Sequence, residues 1–207
     1  MKKLSSHWNS VNENWRHIIG GMTTKKEERI IKNYKELFLG KIDKKIVSCS
    51  LDWGCGGGLL TAELAKDFKV CAVDISEKSL NSCINYALPE YTQLILDDID
   101  SFVWNGPKVD FILCHALVWH FPSLEYFKKV LYNWKLLSPT YIAFNTKPSE
   151  ISTFTEPIDY SKDFLNSLFL NDDFVITLLA ELGYTNISKV RKKGHQKSTF
   201  FVFKKIK

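Results

Sequence analysis

No stretch of this sequence is apolar for long enough to cross a bilayer. The longest nearly apolar run, Val109 to Phe121, is broken by Asp110, His115 and His120 and falls short of the roughly 20 residues that a span requires. The opening residues MKKLSSHWNS carry two lysines with no apolar segment behind them, which does not read as a secretory signal. The expectation is a cytoplasmic protein. The five cysteines, Cys49, Cys55, Cys71, Cys83 and Cys114, contain no C-x-x-C pair and are odd in number, so neither a disulfide framework nor a zinc site is expected. Four of them fall in or beside predicted strands and a glycine loop, where a free thiol packs as a small apolar group. Internal repeats and low-complexity segments are missing too. The net charge of +5 is spread over lysine pairs from Lys2-Lys3 to Lys204-Lys205, the pattern of a solvated surface, which leaves nucleic-acid binding as the lesser reading.

What remains is a chain of 207 residues, 45% hydrophobic and 14% aromatic, the size and composition of one folded domain with a small lid. Thr24-Lys25-Lys26-Glu27 reads as a capping box, and Ile30, Ile31, Tyr34, Leu37 and Phe38 continue at helical spacing to Gly40. Residues 1–40 thus form a helical N-terminal lid. Strands follow at Ile46 to Asp52, Phe68 to Asp74, Tyr91 to Leu96, Val109 to Cys114 and Thr140 to Asn145. Helices are expected between them, from Leu59 to Asp67, after a Ser76 cap with Leu80, Ile84 and Ala87 inward, around Ile99 to Val103, and from Ser123 to Leu137. Strict alternation means a parallel sheet covered by helices on both faces, an α/β architecture. The end of the chain departs from it: a helix over Asp172 to Leu182 is stopped by Gly183, and strands at Thr185 to Arg191 and Ser198 to Lys204 flank the Lys193-Gly194-His195-Gln196 turn as an antiparallel hairpin. Residues 147–170 show no period and read as an insertion over the strand ends.

Chemistry concentrates in LDWGCGGG, Leu51 to Gly58, where four glycines occupy five positions after a strand that ends in an acid. Glycine at this density marks a backbone that turns tightly or lies against a ligand, and in open α/β sheets ligands sit at the carboxyl ends of the strands. A dinucleotide loop wants G-x-G-x-x-G, but here Gly54-Cys55-Gly56-Gly57-Gly58 is followed by Leu59, so the third glycine is misplaced. Asp52, two residues before the first glycine, would repel a pyrophosphate and attract a cation. Asp74 ends the second strand, where an acid can take both ribose hydroxyls, and Asp97 and Asp98 follow the third, where one can accept from an adenine amino group and the other cap a helix. Acids at three successive strand tips describe an adenosine with a positively charged amino-acid tail.

The segments LDWGCGGGLLTAEL, CAVDIS, LILDDID and VDFILCHALVWHF resemble, in order and spacing, the motifs of class I S-adenosylmethionine-dependent methyltransferases, over Ile46 to Asn145. The resemblance implies a Rossmann-like seven-stranded sheet of order 3-2-1-4-5-7-6 with its last strand antiparallel. It also implies S-adenosylmethionine as methyl donor and S-adenosylhomocysteine as product. Asp52 and Gly54 would line the methionine moiety, with Cys55 in the same cradle, while Gly56 and Gly58 would let the backbone approach the ligand. Asp74 would hold the ribose with Ile75 beside it, Asp98 and the Ile99 N–H would meet the adenine, and Cys114 and His115 would lie beneath the sulfonium. Arg16, in the aromatic N-terminal stretch with His7, Trp8, Trp15, His17 and Met22, would pair with the methionine carboxylate.

His120 is the candidate base, five or six residues past a strand end and with an ordinary pKa of roughly 6.5, against the alternative of a structural or substrate-contacting histidine. Glu156, Asp159 and Tyr160 of the insertion are candidates for the acceptor wall. The fourth strand ends in CHAL and not in an Asn/Asp-Pro-Pro-aromatic motif, and no Pro-Cys or Thr-Cys pair occurs, which argues against two routes to methylated nucleic-acid bases. O-methylation of a small molecule or glycan precursor, as in polysaccharide biosynthesis, is the leading expectation. An RNA or protein methyltransferase using the basic run Lys189 to Lys193 and Lys197 is second, and a non-catalytic adenosyl-binding module third.

Overall fold

The computed structural model describes residues 4–10, 24–83, 93–96, 103–150, 152–157, 159, 167–192 and 197–206. Helix α1 covers 4–10 and α2 spans Thr24–Leu37. Then come β1 (Cys49–Trp53), α3 (Leu59–Leu64), β2 (Lys69–Asp74), α4 (Glu77–Cys83), β3 (Gln93–Leu96), β4 (Phe111–Cys114), α5 (Leu124–Leu137) and β5 (Tyr141–Thr146). Three short strands follow, β6 (Pro148–Ser149), β7 (Phe154–Thr155) and β8 (Leu168–Asn171), and the chain closes with α6 (Asp172–Glu181), β9 (Tyr184–Lys192) and β10 (Ser198–Lys205).

One sheet holds seven strands in the order β3-β2-β1-β4-β5-β10-β9. Its first five are parallel, and β10 runs antiparallel to both β5 and β9. A second, three-stranded sheet, β6-β8-β7, is built from the segment that reads as an insertion without a period. Two-residue strands leave too short a period to read in a sequence.

All five residues of β1 are buried, as a strand covered on both faces must be. Alternation sorts the side chains into two cores. Trp53, Ile112 and Phe144 face α5 and α6, where they meet Phe127, Trp134 and Leu179. Val70, Leu113 and Ala143 face the other way, onto Tyr34 of α2, Phe38 just after it and Leu64 of α3.

Several boundaries move for local reasons. β1 begins at Cys49 instead of Ile46, because Lys44–Ile46 forms a single 3-10 turn capped by Asp43, whose carboxylate accepts from Lys45 N at 3.0 Å. Asp110 then takes the Ser48 and Cys49 N–H groups at 2.9 and 3.3 Å. β2 starts one residue late, since Phe68 N still donates to Leu64 O. Ser76 caps and Gly183 stops their helices as expected, with Ser76 Oγ accepting from Ser79 N at 3.2 Å and Gly183 at φ 90°, and Ser123 Oγ caps α5 by accepting from Tyr126 N at 3.1 Å. Ile84, Ala87, the 97–102 turn and the 193–196 turn lie outside the described residues. Among the described residues no helix is long and apolar enough to cross a membrane.

Candidate functional site

The carboxyl ends of β1, β2 and β4 share one edge, with Asp52 level with Ala72 and Leu113. There the chain leaves β1 in a turn anchored to its neighbour: Gly54 N and Cys55 N both donate to Val73 O, at 2.7 and 3.1 Å. Gly54, Gly56 and Gly58 all adopt left-handed φ, at 75°, 54° and 89°, which accounts for glycine at each. Their open sides differ. A side chain on Gly54 would run into Leu117, and one on Gly58 would stand 2.8 Å from Cys83 Sγ, but at Gly56 nothing lies within 4 Å. A side chain at residue 58 is thus barred by α4, whereas the loop is open at Gly56.

Asp74 ties this loop to the tip of β2. Its Oδ2 accepts from Gly56 N at 2.9 Å and its Oδ1 from Ser76 N at 2.8 Å. Burial raises its pKa, opposed by the N–H bonds from Ser76 and Gly56. The Ser79 hydroxyl and the Ile75 N–H act on the same carboxyl in the same direction. Ile75 is partly exposed beside it.

Asp52 is only 2% exposed and accepts from Thr61 Oγ1 at 2.7 Å. Burial pushes its pKa up to about 7; the Thr61 bond opposes this and the nearby Asp74 charge adds to it. Burial thus holds both carboxyls above their ordinary range, the kind of perturbation that gathers at ligand sites.

The loop after β4 is strained. Ala116 sits at φ 58°, left-handed for a residue with a side chain, and its N–H donates to Asn145 Oδ1 at 2.7 Å. Asn145 escaped the sequence reading, although an asparagine near the end of the apolar strand YIAFNT was a signal. Alternation turns the Cys114 thiol, with Ile112, into the core under α5, where it is fully buried. His115 turns the other way, between Phe38 and Phe200 with ring centroids 6.2 and 6.4 Å apart from its own. Burial brings its pKa down to about 4, so the ring is neutral at neutral pH.

His120 closes a single 3-10 turn, Val118–His120, and is buried with Trp8 of α1 edge-on at 5.0 Å and Trp119 at 5.6 Å. The same helix reaches β2, where Ser76 Oγ donates to Asn9 Oδ1 at 2.9 Å. Helix α1 thus bridges the tips of β2 and β4 through two residues whose partners no sequence period reveals. Segment 147–170 meets the other side: Ser167 N donates to Trp119 O at 2.9 Å, and Lys147 Nζ stands 5.7 Å over the Trp119 ring. Glu156 and Asp159 are exposed. Arg16, Trp15, His17, Met22, Asp97, Asp98, Ile99 and Tyr160 lie outside the described residues.

The basic hairpin is partly neutralised. Lys189 pairs with Asp173 at 3.7 Å, Arg191 pairs with Asp172 at 2.9 Å and with Glu150 at 3.7 Å, and Lys192 Nζ donates to Asn33.

Residues 51–137 match the family of methyltransferase domains. Over 78 residues the chain is 38% identical to the ubiquinone biosynthesis O-methyltransferase of Coxiella burnetii (strain RSA 493 / Nine Mile phase I), a match that takes in 35% of this chain and 32% of that protein. The chain thus aligns with about a third of the length of the curated relatives it matches. Among solved structures, magnesium protoporphyrin IX methyltransferase from Synechocystis PCC 6803 with bound SAH superimposes at TM-score 0.74 and 16% identity, over 97% of each chain. The 1,6-didemethyltoxoflavin-N1-methyltransferase of Burkholderia thailandensis superimposes at 0.75 and 15% identity, over 100% of this chain and 88% of that one. At such identities the likeness is one of fold.

Proposed function

This chain has the class I methyltransferase fold, with residues 51–137 matching the methyltransferase-domain family, and on that premise we propose that it transfers a methyl group from S-adenosylmethionine to a small molecule. The observation that carries the reading is the pair of buried or partly buried acids, Asp52 and Asp74, on either side of a loop whose Gly56 is open. The donor set fits: carboxylates suit an ammonium group and a ribose, and a loop without a side chain at residue 56 leaves room for them. S-adenosylmethionine supplies a methyl group already activated on a sulfonium.

The chain's own residues bind and orient. Asp74 takes the ribose hydroxyls with Ile75 beside them, and Asp52 faces the cationic end of the methionine moiety with Gly54 and Cys55 around it. The resemblance assigns the adenine to Asp98 and Ile99, and the methionine carboxylate to Arg16. Helix α1 acts as the lid, with Trp8 on His120 and Asn9 on Ser76.

The acceptor atom is oxygen, on a small molecule or a glycan precursor; the 38% identity to an O-methyltransferase and the presence of a histidine in the β4 loop support this. A hydroxyl must lose its proton as the new bond forms, and His120 takes it. The paired cations of the hairpin favour this acceptor over RNA.

Calorimetry with S-adenosylhomocysteine, followed by label transfer from methyl-labelled S-adenosylmethionine to small hydroxylic acceptors, tests the proposal. A folded protein that binds no S-adenosylhomocysteine sinks it. Once an acceptor is in hand, His120→Ala is expected to lower kcat by about a hundredfold and to remove the acid limb of the pH profile. An unchanged rate across pH refutes the base assignment.

A further inference from the structure

Cys55 is the one cysteine of the five that is not fully buried, and it lies in the loop between left-handed Gly54 and Gly56. Its Sγ is 4.0 Å from Sγ of Cys83, the last residue of α4. Cys83 touches the loop at two further points: its Sγ is 3.5 Å from Gly56 O, and it fills the space that a side chain on Gly58 would need. Cys49 and Cys71 face each other from neighbouring strands, and both, like Cys114, are buried in the core.

We propose that Cys55 and Cys83 form a reversible disulfide that closes the glycine-loop cradle. The inference rests on the cofactor reading for its consequence, but not for the bond itself. The oxidant is a peroxide. The Cys55 thiolate attacks one peroxide oxygen, an S–O bond forms and the O–O bond breaks, and the departing hydroxide takes up the thiol's proton as water. The Cys83 sulfur then displaces hydroxide from the sulfenic acid, the S–S bond replaces the S–O bond, and a second water leaves with the Cys83 proton. Two thiols and one hydrogen peroxide thus give one disulfide and two waters, and a dithiol reductant reverses the change.

The sulfurs must close from 4.0 Å to a bond of about 2 Å. The movement falls on the loop, because Cys83 is anchored in a helix while Cys55 is flanked by glycines. Gly56, the next residue, then loses its alignment with Asp74, which it now meets at 2.9 Å.

The groups facing the Cys55 thiol are Cys83 from α4, Asp74 from β2 and Asp52 from β1. The contact with Cys83, then burial, then the two acids hold this thiol well above its ordinary pKa. The pair is therefore stable as thiols at neutral pH, and its oxidation accelerates by about tenfold per pH unit from 7 to 9, with the thiolate fraction.

The reduced protein is treated with hydrogen peroxide at high pH, its remaining thiols are blocked, and the digest is searched by mass spectrometry for the peptide linking Cys55 to Cys83. S-adenosylhomocysteine affinity is measured before oxidation, after it and after dithiothreitol. The linked peptide is expected, with a fall in affinity of about tenfold or more, the scale of one lost hydrogen bond to a carboxylate, and recovery on reduction. Cys83→Ala, with its melting temperature checked, should keep its affinity through the peroxide treatment. Absence of the linked peptide, a linked peptide with unchanged affinity, or an equal loss in Cys83→Ala overturns the proposal. A reduced wild type that does not bind S-adenosylhomocysteine overturns the cofactor reading instead, and the linked peptide still decides the disulfide.

Discussion

Asp74→Ala is expected to bind S-adenosylhomocysteine at least about a hundredfold more weakly than the wild type. A hydrogen bond to a charged acceptor contributes about 1.5–3 kcal/mol, and the two ribose hydroxyls would each donate one to this carboxylate, so their joint loss spans a factor of about 10² to 10⁴. The substitution also frees Gly56 N and Ser76 N, which Asp74 now holds at 2.9 and 2.8 Å, and so loosens the cradle itself. Asp74→Asn separates the two losses. It keeps an acceptor oxygen for one N–H but offers an amide donor to the other, so part of the loop's anchoring survives while one ribose contact does not. Calorimetry on the two variants should rank affinity as wild type, then Asn, then Ala, with melting temperatures in the same order but closer together. Wild-type affinity in Asp74→Ala removes this residue from the site and, with it, the strongest support for an adenosine ligand.

Asp74 was legible in the sequence because it ends an apolar strand, and a charged residue at that position either faces solvent or serves a ligand. The cap at Ser76 and the helix start at Ser123 were legible for a similar local reason, since each serine acts on a backbone N–H three residues ahead. The glycine loop was readable in part. Its density announced left-handed backbone, but which face each glycine opens depends on Leu117 and Cys83, which are distant in the chain. Tertiary contacts set everything else that was missed. Asn9 meets Ser76 across 67 residues, Asn145 holds Ala116 in a conformation no propensity favours, and Ser167 fastens the 147–170 segment to the β4 loop. The direction of the Cys114 thiol was not legible either, because a motif gives a position along the chain, whereas the pleat decides which way the side chain turns.

Asp52→Asn is expected to stabilise the free protein and to weaken its ligand binding. In the folded chain Asp52 has a pKa near 7, against an ordinary value near 3.9 when unfolded. Between these values the native state binds the proton more tightly, so the contribution of Asp52 to stability is full below about pH 4, falls as pH rises to about 7, and is constant beyond. Over the whole window the loss is on the order of 4 kcal/mol. Asparagine carries no charge to bury, and its Oδ1 can still accept the Thr61 hydroxyl that Asp52 takes at 2.7 Å. The variant should therefore melt several degrees above the wild type at pH 8, about 2 to 4 °C per kcal/mol in a domain of this size, and the gap should close toward pH 4. Binding moves the other way. A ligand ammonium favours the ionised Asp52, so wild-type affinity for S-adenosylhomocysteine should strengthen as pH rises toward 7 and then level off. In Asp52→Asn the affinity should be lower by about tenfold or more at pH 8 and flat through the same range. Equal pH profiles in the two proteins would show that no cation sits at Asp52. A melting temperature that does not rise at pH 8 would show that its carboxylate is not penalised by burial. If both effects appear, Asp52 is retained at a cost in stability because the methyl donor's cationic end requires a carboxylate there.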